Sequence, residues 1–192
     1  MSAGETVEGI ILAAGSSTRI GAFKPGLMIG GKSMLVRCVV GMSSVCGRIV
    51  VVGGDELDRL RSLVAGYATV ECIENPLHHR GMFSSVKSGL AVMRGDRCFI
   101  LPSDMPLVPP AVYRLLLEED ADVVIPVYHG KKGHPVCLSK TVVPRILREP
   151  DDSSLRDAIK AIGHRNVEVD AEEILIDVDT PQDYEEICRR LA

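Results

Sequence analysis

Two stretches near the N-terminus carry residues able to hold a phosphate. GIILAAGSSTRIGAFK, residues 9–24, is an apolar run, then Gly15, then the cations Arg19 and Lys24. GLMIGGKS, residues 26–33, matches the P-loop pattern G-x-x-x-x-G-K-S letter for letter. A P-loop works because a strand feeds its first glycine and a helix begins at its Lys-Ser end. The residues ahead of Gly26 are polar or turn-forming, and the would-be cradle contains Leu27, Met28 and Ile29. Three apolar side chains suit a core better than a ring of N–H groups, so GGK at 30–32 reads as a tight turn into a helix starting near Ser33. The first stretch has the context that the second lacks. Glycine lets the backbone approach a phosphate closely, and Arg19 and Lys24 beside exposed N–H groups make an anion site fit for a triphosphate.

Strand-like runs recur at 7–13, 48–53, 69–74, 97–102, 122–128, 134–138 and 173–178, with a shorter candidate near 166–169. The early ones are nearly unbroken, which suits strands covered on both faces. Between them, stripes such as Leu35-Cys38-Val39-Met42 and Phe83-Val86-Leu90 repeat with the spacing of one helix face. The β-α alternation through about residue 128 predicts an α/β, Rossmann-like, doubly wound and mostly parallel sheet. Such sheets bind ligands outside the carboxyl ends of their strands. Asp104 falls there, just past RCFILP. Thr180-Pro181 reads as an N-cap with proline in the first helical turn, opening a last helix. KKG at 131–133 reads as a solvated turn or loop tip, and His78-His79 as loop residues. Asp177 is expected to point to the other face if the strand continues.

The 192 residues contain 46% hydrophobic and 25% charged residues, a globular balance, and no linker divides them, so one domain over 1–192 is expected. The net charge of −4 and the absence of a basic patch argue against nucleic acid as a partner. Aromatics at 4%, with no Trp, supply no stacking platform. Cys38, Cys46, Cys72, Cys98, Cys137 and Cys188 are scattered through apolar runs with no zinc-ligand spacing. Free thiols, a polar N-terminal stretch and no apolar run near the ~18 residues of a membrane span predict a cytoplasmic protein without a membrane partner.

LAAGSSTRIGAFK resembles the nucleotidyltransferase signature LAAG-x-S/G-x-R-M/I-G-x-x-K, and GGKSML resembles its continuation. ENPLHHRGMFSSVKSGL, LPSDMPLV, GHPVCLS and LIDVDTPQDY resemble further segments in the same order, spanning residues 9–184. Ser103 stands where the GDMP segment has Gly, and His79 where relatives often carry Trp. The sequence is thus similar to the MobA-like NTP transferases, and closest to the molybdenum cofactor cytidylyltransferase (MocA) type, which carries LAAG and GHPV. The resemblance implies Mg²⁺-dependent transfer of CMP from CTP to molybdopterin carrying molybdenum, with release of pyrophosphate. It leaves room for a client molybdoenzyme or chaperone as a further partner.

By the same resemblance, Asp104 is a metal ligand and Asp179 a second, unless Asp179 only caps the last helix. Arg19 and Lys24 hold the triphosphate and stabilise the leaving pyrophosphate. Ala13, Ala14 and Gly15 pass close to the nucleotide. Asn75 approaches the base or is a turn residue. Gly81, Met82, Ser84 and Ser85 open a helix whose free N–H groups and hydroxyls suit either an acceptor anion or ordinary capping. His134, in GHPV, contacts the acceptor. The rivals are transfer from GTP or to another phosphorylated acceptor such as a sugar phosphate, a non-catalytic nucleotide- or cofactor-binding maturation factor, and a P-loop NTPase.

Overall fold

A computed structural model describes residues 4–15 and 21–191. In chain order its elements are β1 (Val7–Leu12), β2 (Met28–Ile29), β3 (Lys32–Ser33), α1 (Met34–Met42), β4 (Arg48–Gly53), α2 (Leu57–Val64), β5 (Val70–Glu74) and α3 (Met82–Ala91). Then come β6 (Arg97–Pro102), α4 (Pro110–Leu117), β7 (Val123–Tyr128), β8 (Lys131–Lys132), β9 (Val136–Ser139), α5 (Val143–Arg148), α6 (Leu155–Ile162), β10 (Arg165–Glu168) and α7 (Pro181–Arg190). Short 3-10 turns cover Lys24–Gly26, His78–Arg80 and Glu172–Leu175.

The main sheet runs β10-β7-β9-β6-β1-β4-β5, with β8 added beside β7. β1 pairs in parallel with β4 and β6, β4 with β5, and β10 with β7. Only β9 breaks the direction along that path, antiparallel to both β6 and β7. Alternation along each strand divides the apolar residues between two cores. Ile11, Val51, Phe99 and Leu101 meet α1, α2 and α4 through Leu35, Val39, Leu60 and Tyr113. Ile10, Val50, Val52 and Ile100 meet α3, α5 and α6 through Val86, Leu90, Ile146 and Ile159. Burial on both faces accounts for the unbroken apolar runs, since a strand between two helical layers has no solvent side.

The P-loop look-alike is a hairpin. Gly30 and Gly31 take φ of +51° and +79°, the pair of left-handed residues that a two-residue hairpin turn needs. The turn joins β2 to antiparallel β3, and the Ser33 hydroxyl then accepts the Val36 N–H to cap α1. Ile29 and Met34 are fully buried, packed with Val178 and Ile187 in a third small cluster. Two expectations are corrected. EILIDV is no strand: residues 172–175 form a 3-10 turn, because Ile174 turns into the core while the chain passes under His134, whose N–H it receives. KKG is no bare loop tip: Lys131 and Lys132 pair with Tyr128 and Val127 as β8.

Candidate active site

A cavity of about 910 Å³ opens along the carboxyl edge of the sheet. Its floor is the end of β1, Leu12 to Gly15, and the end of β6, Pro102 to Met105. The two are tied together by Ser103 N–H donating to the Leu12 carbonyl at 3.0 Å. Because β9 is antiparallel, the residues before it, Gly133 and His134, reach the same edge as the residues after β1 and β6.

The charges meet at Lys24. Its Nζ donates to Asp104 Oδ2 at 2.9 Å and to Asp179 Oδ1 at 2.8 Å. Three distant parts of the chain supply this cluster: the 3-10 turn at Lys24–Gly26, the end of β6 and the approach to α7. Burial pulls the Lys24 pKa down, but the hydrogen bonds and charges of Asp179 and Asp104 outweigh it, so the net shift is upward and the ammonium stays charged. Asp179 is not the cap of α7. That role belongs to Thr180, whose hydroxyl accepts the Asp183 N–H, while the Asp183 carboxylate receives the N–H groups of Thr180 and Asp179. The carboxylate of Asp179 is thereby left to face Lys24.

Two carboxylates held side by side on the Lys24 ammonium form a hard oxygen donor set, suited to Mg²⁺ or Mn²⁺. Among the described residues no group of three or more His, Cys, Asp and Glu side chains could hold a metal. Such a pair fits a cation that takes its remaining ligands from phosphates and water.

The other expected residues are distributed unevenly. Ala13, Ala14, Gly15, Gly81, Met82, Ser85 and His134 line the cavity together with Lys24, Asp104 and Asp179. Arg19 lies outside the described residues. Asn75 and Ser84 are not part of the cavity lining. Asn75 is buried, and its amide donates to the Ser84 and Ser85 hydroxyls at 2.8 and 3.0 Å while its carbonyl accepts the Leu77 N–H. It therefore braces the turn before α3. His134 is pushed below the ordinary imidazole value by burial, opposed by the Ile100 carbonyl and Asp104, and its Nδ1 is buried without a hydrogen-bond partner among the described residues.

Asp177 was expected on the other face, yet it lines the cavity with Asp179; the chain there is not a strand, and even on a strand residues two apart would share a face. Burial, then Asp179 and Asp104, raise its pKa. His78 and His79 also line the cavity, placed by the 3-10 turn after β5, with the His78 ring beside Gly54 and Asp55. Neighbouring side chains point apart on a regular helix or strand, but this tight turn turns both inward. None of the six cysteines is in the lining. Lys32, the lysine of the P-loop look-alike, belongs to a separate cavity of about 380 Å³.

A family model for the MobA-like NTP transferase domain matches residues 9–168. The chain belongs to that family. The transferase is 29% identical over 180 residues to the molybdenum cofactor cytidylyltransferase of Escherichia coli strain K12, with 93% of each chain covered. It is 26% identical over 192 residues to a protein of Carboxydothermus hydrogenoformans named "Probable molybdenum cofactor guanylyltransferase", again with 93% of each covered. A nucleotidyl transferase from Methanothermobacter shares the fold, with a TM-score of 0.84, 98% of each chain covered and 19% identity. The protein is a nucleotidyltransferase.

Proposed function

We propose that the transferase moves CMP from CTP to molybdopterin carrying molybdenum, as one Mg²⁺-dependent domain acting in the cytoplasm, and hands the product to a client molybdoenzyme or its chaperone. The observation that carries the reading is the Asp104–Lys24–Asp179 cluster beside the glycine turn of β1, in one cavity. The cytidylyl assignment is supported by LAAG and GHPV in this sequence and by the E. coli relative.

In the reaction an oxygen of the acceptor phosphate attacks the α-phosphorus of the nucleotide. A new P–O bond forms, the bond from the α-phosphorus to the bridging oxygen breaks, and pyrophosphate leaves with that electron pair. Both reactants are anions, so catalysis is positioning and charge screening. Bound Mg²⁺ would screen phosphate charge. Asp104 and Asp179 would hold it. Lys24 would then exchange carboxylate oxygens for phosphate oxygens, keeping its charge beside the leaving group. Ala13, Ala14 and Gly15 leave backbone and space for the nucleotide. His134, with Met82 and Ser85, borders the acceptor's part of the cavity.

GTP as donor is the second reading, favoured by the guanylyltransferase relative. The test is pyrophosphate release with each of the four NTPs, Mg²⁺ and molybdopterin, beside a sugar 1-phosphate as acceptor. CTP with molybdopterin is the expected pair. Preference for GTP overturns the cytidylyl assignment, and activity only with the sugar phosphate overturns the pterin one.

A further inference from the structure

We propose that Lys132, oriented by His164 and flanked by His134, forms a second anion subsite that takes a negatively charged group of the acceptor lying away from its reacting phosphate. The inference rests on the nucleotidyltransferase reading of the cavity and adds the part of the substrate that Lys24, Asp104 and Asp179 do not address.

The position comes from the strand order. Along the carboxyl edge, β1 is followed by β6, β9 and β7, and β8 carries Lys132 beside β7. Three spacings of roughly 4.8 Å each separate the nucleotide turn after β1 from β7. Asp104, at the end of β6, lies between them. Lys132 lines the same cavity as both, so it stands on the side of the carboxylate centre away from the β1 turn.

The partner of Lys132 is an imidazole and not a carboxylate. Lys24, Lys87 and Lys140, like Arg48, Arg80, Arg165 and Arg190, are matched with carboxylates. Lys132 Nζ instead meets His164 Nε2 at 2.6 Å. Burial and the Lys132 charge hold His164 below the ordinary imidazole value, so its ring is a neutral acceptor at neutral pH. A neutral acceptor fixes the direction of an ammonium without cancelling its charge, and two of its three N–H bonds remain for a ligand. The backbone beside it is also fixed. Gly133 N–H donates to Pro126 O at 2.9 Å and His134 N–H to Ile174 O at 3.0 Å. A Cβ on Gly133 would collide with the Ile174 carbonyl. His134, whose Nδ1 is buried and without a hydrogen-bond partner among the described residues, lines this end of the cavity.

The experiment uses inorganic phosphate as the probe, on protein saturated with CTP and Mg²⁺, and reads imidazole ¹⁵N shifts of His164 and His134. Saturable shifts in the wild type that vanish in Lys132→Met are expected. With molybdopterin as acceptor, Lys132→Met should raise the acceptor KM at least about tenfold, the loss of one charge-assisted hydrogen bond, with kcat and CTP affinity kept. His164→Ala should raise the same KM, and His164→Gln, which restores a neutral acceptor, should rescue it. An unchanged acceptor KM in Lys132→Met overturns the proposal. So do phosphate shifts that disappear when CTP binds, which would assign Lys132 to the triphosphate. Failure of the wild type to bind any NTP would instead sink the transferase reading, while the phosphate shifts in the NTP-free protein still report on the subsite.

Discussion

Lys24→Met removes the cation and keeps most of the side chain's bulk. Asp104 and Asp179 are both bonded to one nitrogen, so their oxygens lie roughly 5 Å apart. With the Lys24 ammonium gone, two carboxylate charges at that distance repel by about 3 kcal/mol at an effective dielectric constant of 20 and by about 0.8 kcal/mol in water. The side chains of Asp104 and Asp179 are 25% and 41% exposed, so screening pulls the value toward the lower end. A loss of about 1–2 kcal/mol is expected, a fall in Tm of roughly 2–8 °C for a chain of this size. The sign reverses with a divalent cation. The variant's carboxylates have lost the Lys24 ammonium as a competitor, so Mg²⁺ without nucleotide should bind more tightly than in the wild type and raise Tm further. NTP affinity and turnover should fall. Scanning calorimetry with and without Mg²⁺, plus titration calorimetry with CTP, reads all of these. Equal Mg²⁺ stabilisation of both proteins would refute the idea that Lys24 occupies the cation position of the ligand-free site.

Asp104→Asn should abolish pyrophosphate release while leaving circular dichroism unchanged, because the carboxylate sits at the cavity and not in either core; near-normal turnover in a folded variant would remove it from the reaction. Lys24→Ala should weaken CTP binding far more than Lys32→Ala, measured by titration calorimetry, since Lys32 lies in the other cavity. Asn75→Ala should cost roughly 1–3 kcal/mol in urea unfolding, because it strands the buried Ser85 hydroxyl and the Leu77 N–H. Gly133→Ala should raise the acceptor KM and lower Tm, through the clash with the Ile174 carbonyl, while CTP affinity is retained.

The layered sheet was legible because its signal is periodic. Runs such as RIVVVG and RCFILP are unbroken and apolar after their opening arginine, the pattern of strands between two helical layers. Lys24 and Asp104 were legible because a glycine turn and a strand end are local marks. Asp177 was missed although its spacing of two from Asp179 already puts both on one side of an extended segment, and the backbone that seats Ile174 under His134 carries them both to the cavity. Lys132 was hidden for a related reason. Two lysines beside a glycine look solvated in sequence, and only the pairing of β8 with β7 brings one of them to the cavity. The histidine pair at 78–79 needed the geometry of a three-residue turn, which periodicity does not reveal.

Lys24 is joined to Asp104 across 80 positions of sequence and to Asp179 across 155. On the ribosome, where residues emerge at about 5–20 per second, the β1 turn and its lysine wait for most of synthesis before the second aspartate exists. The sheet can assemble from β1 outward in the meantime, because its parallel neighbours arrive early. A nascent chain with a formed sheet is therefore still without its charged centre. On the proposed role of the two carboxylates, nucleotide that meets a chain not yet folded there finds a cleft lacking one of them, and turnover should await the folding of the segment that precedes α7 across the cavity.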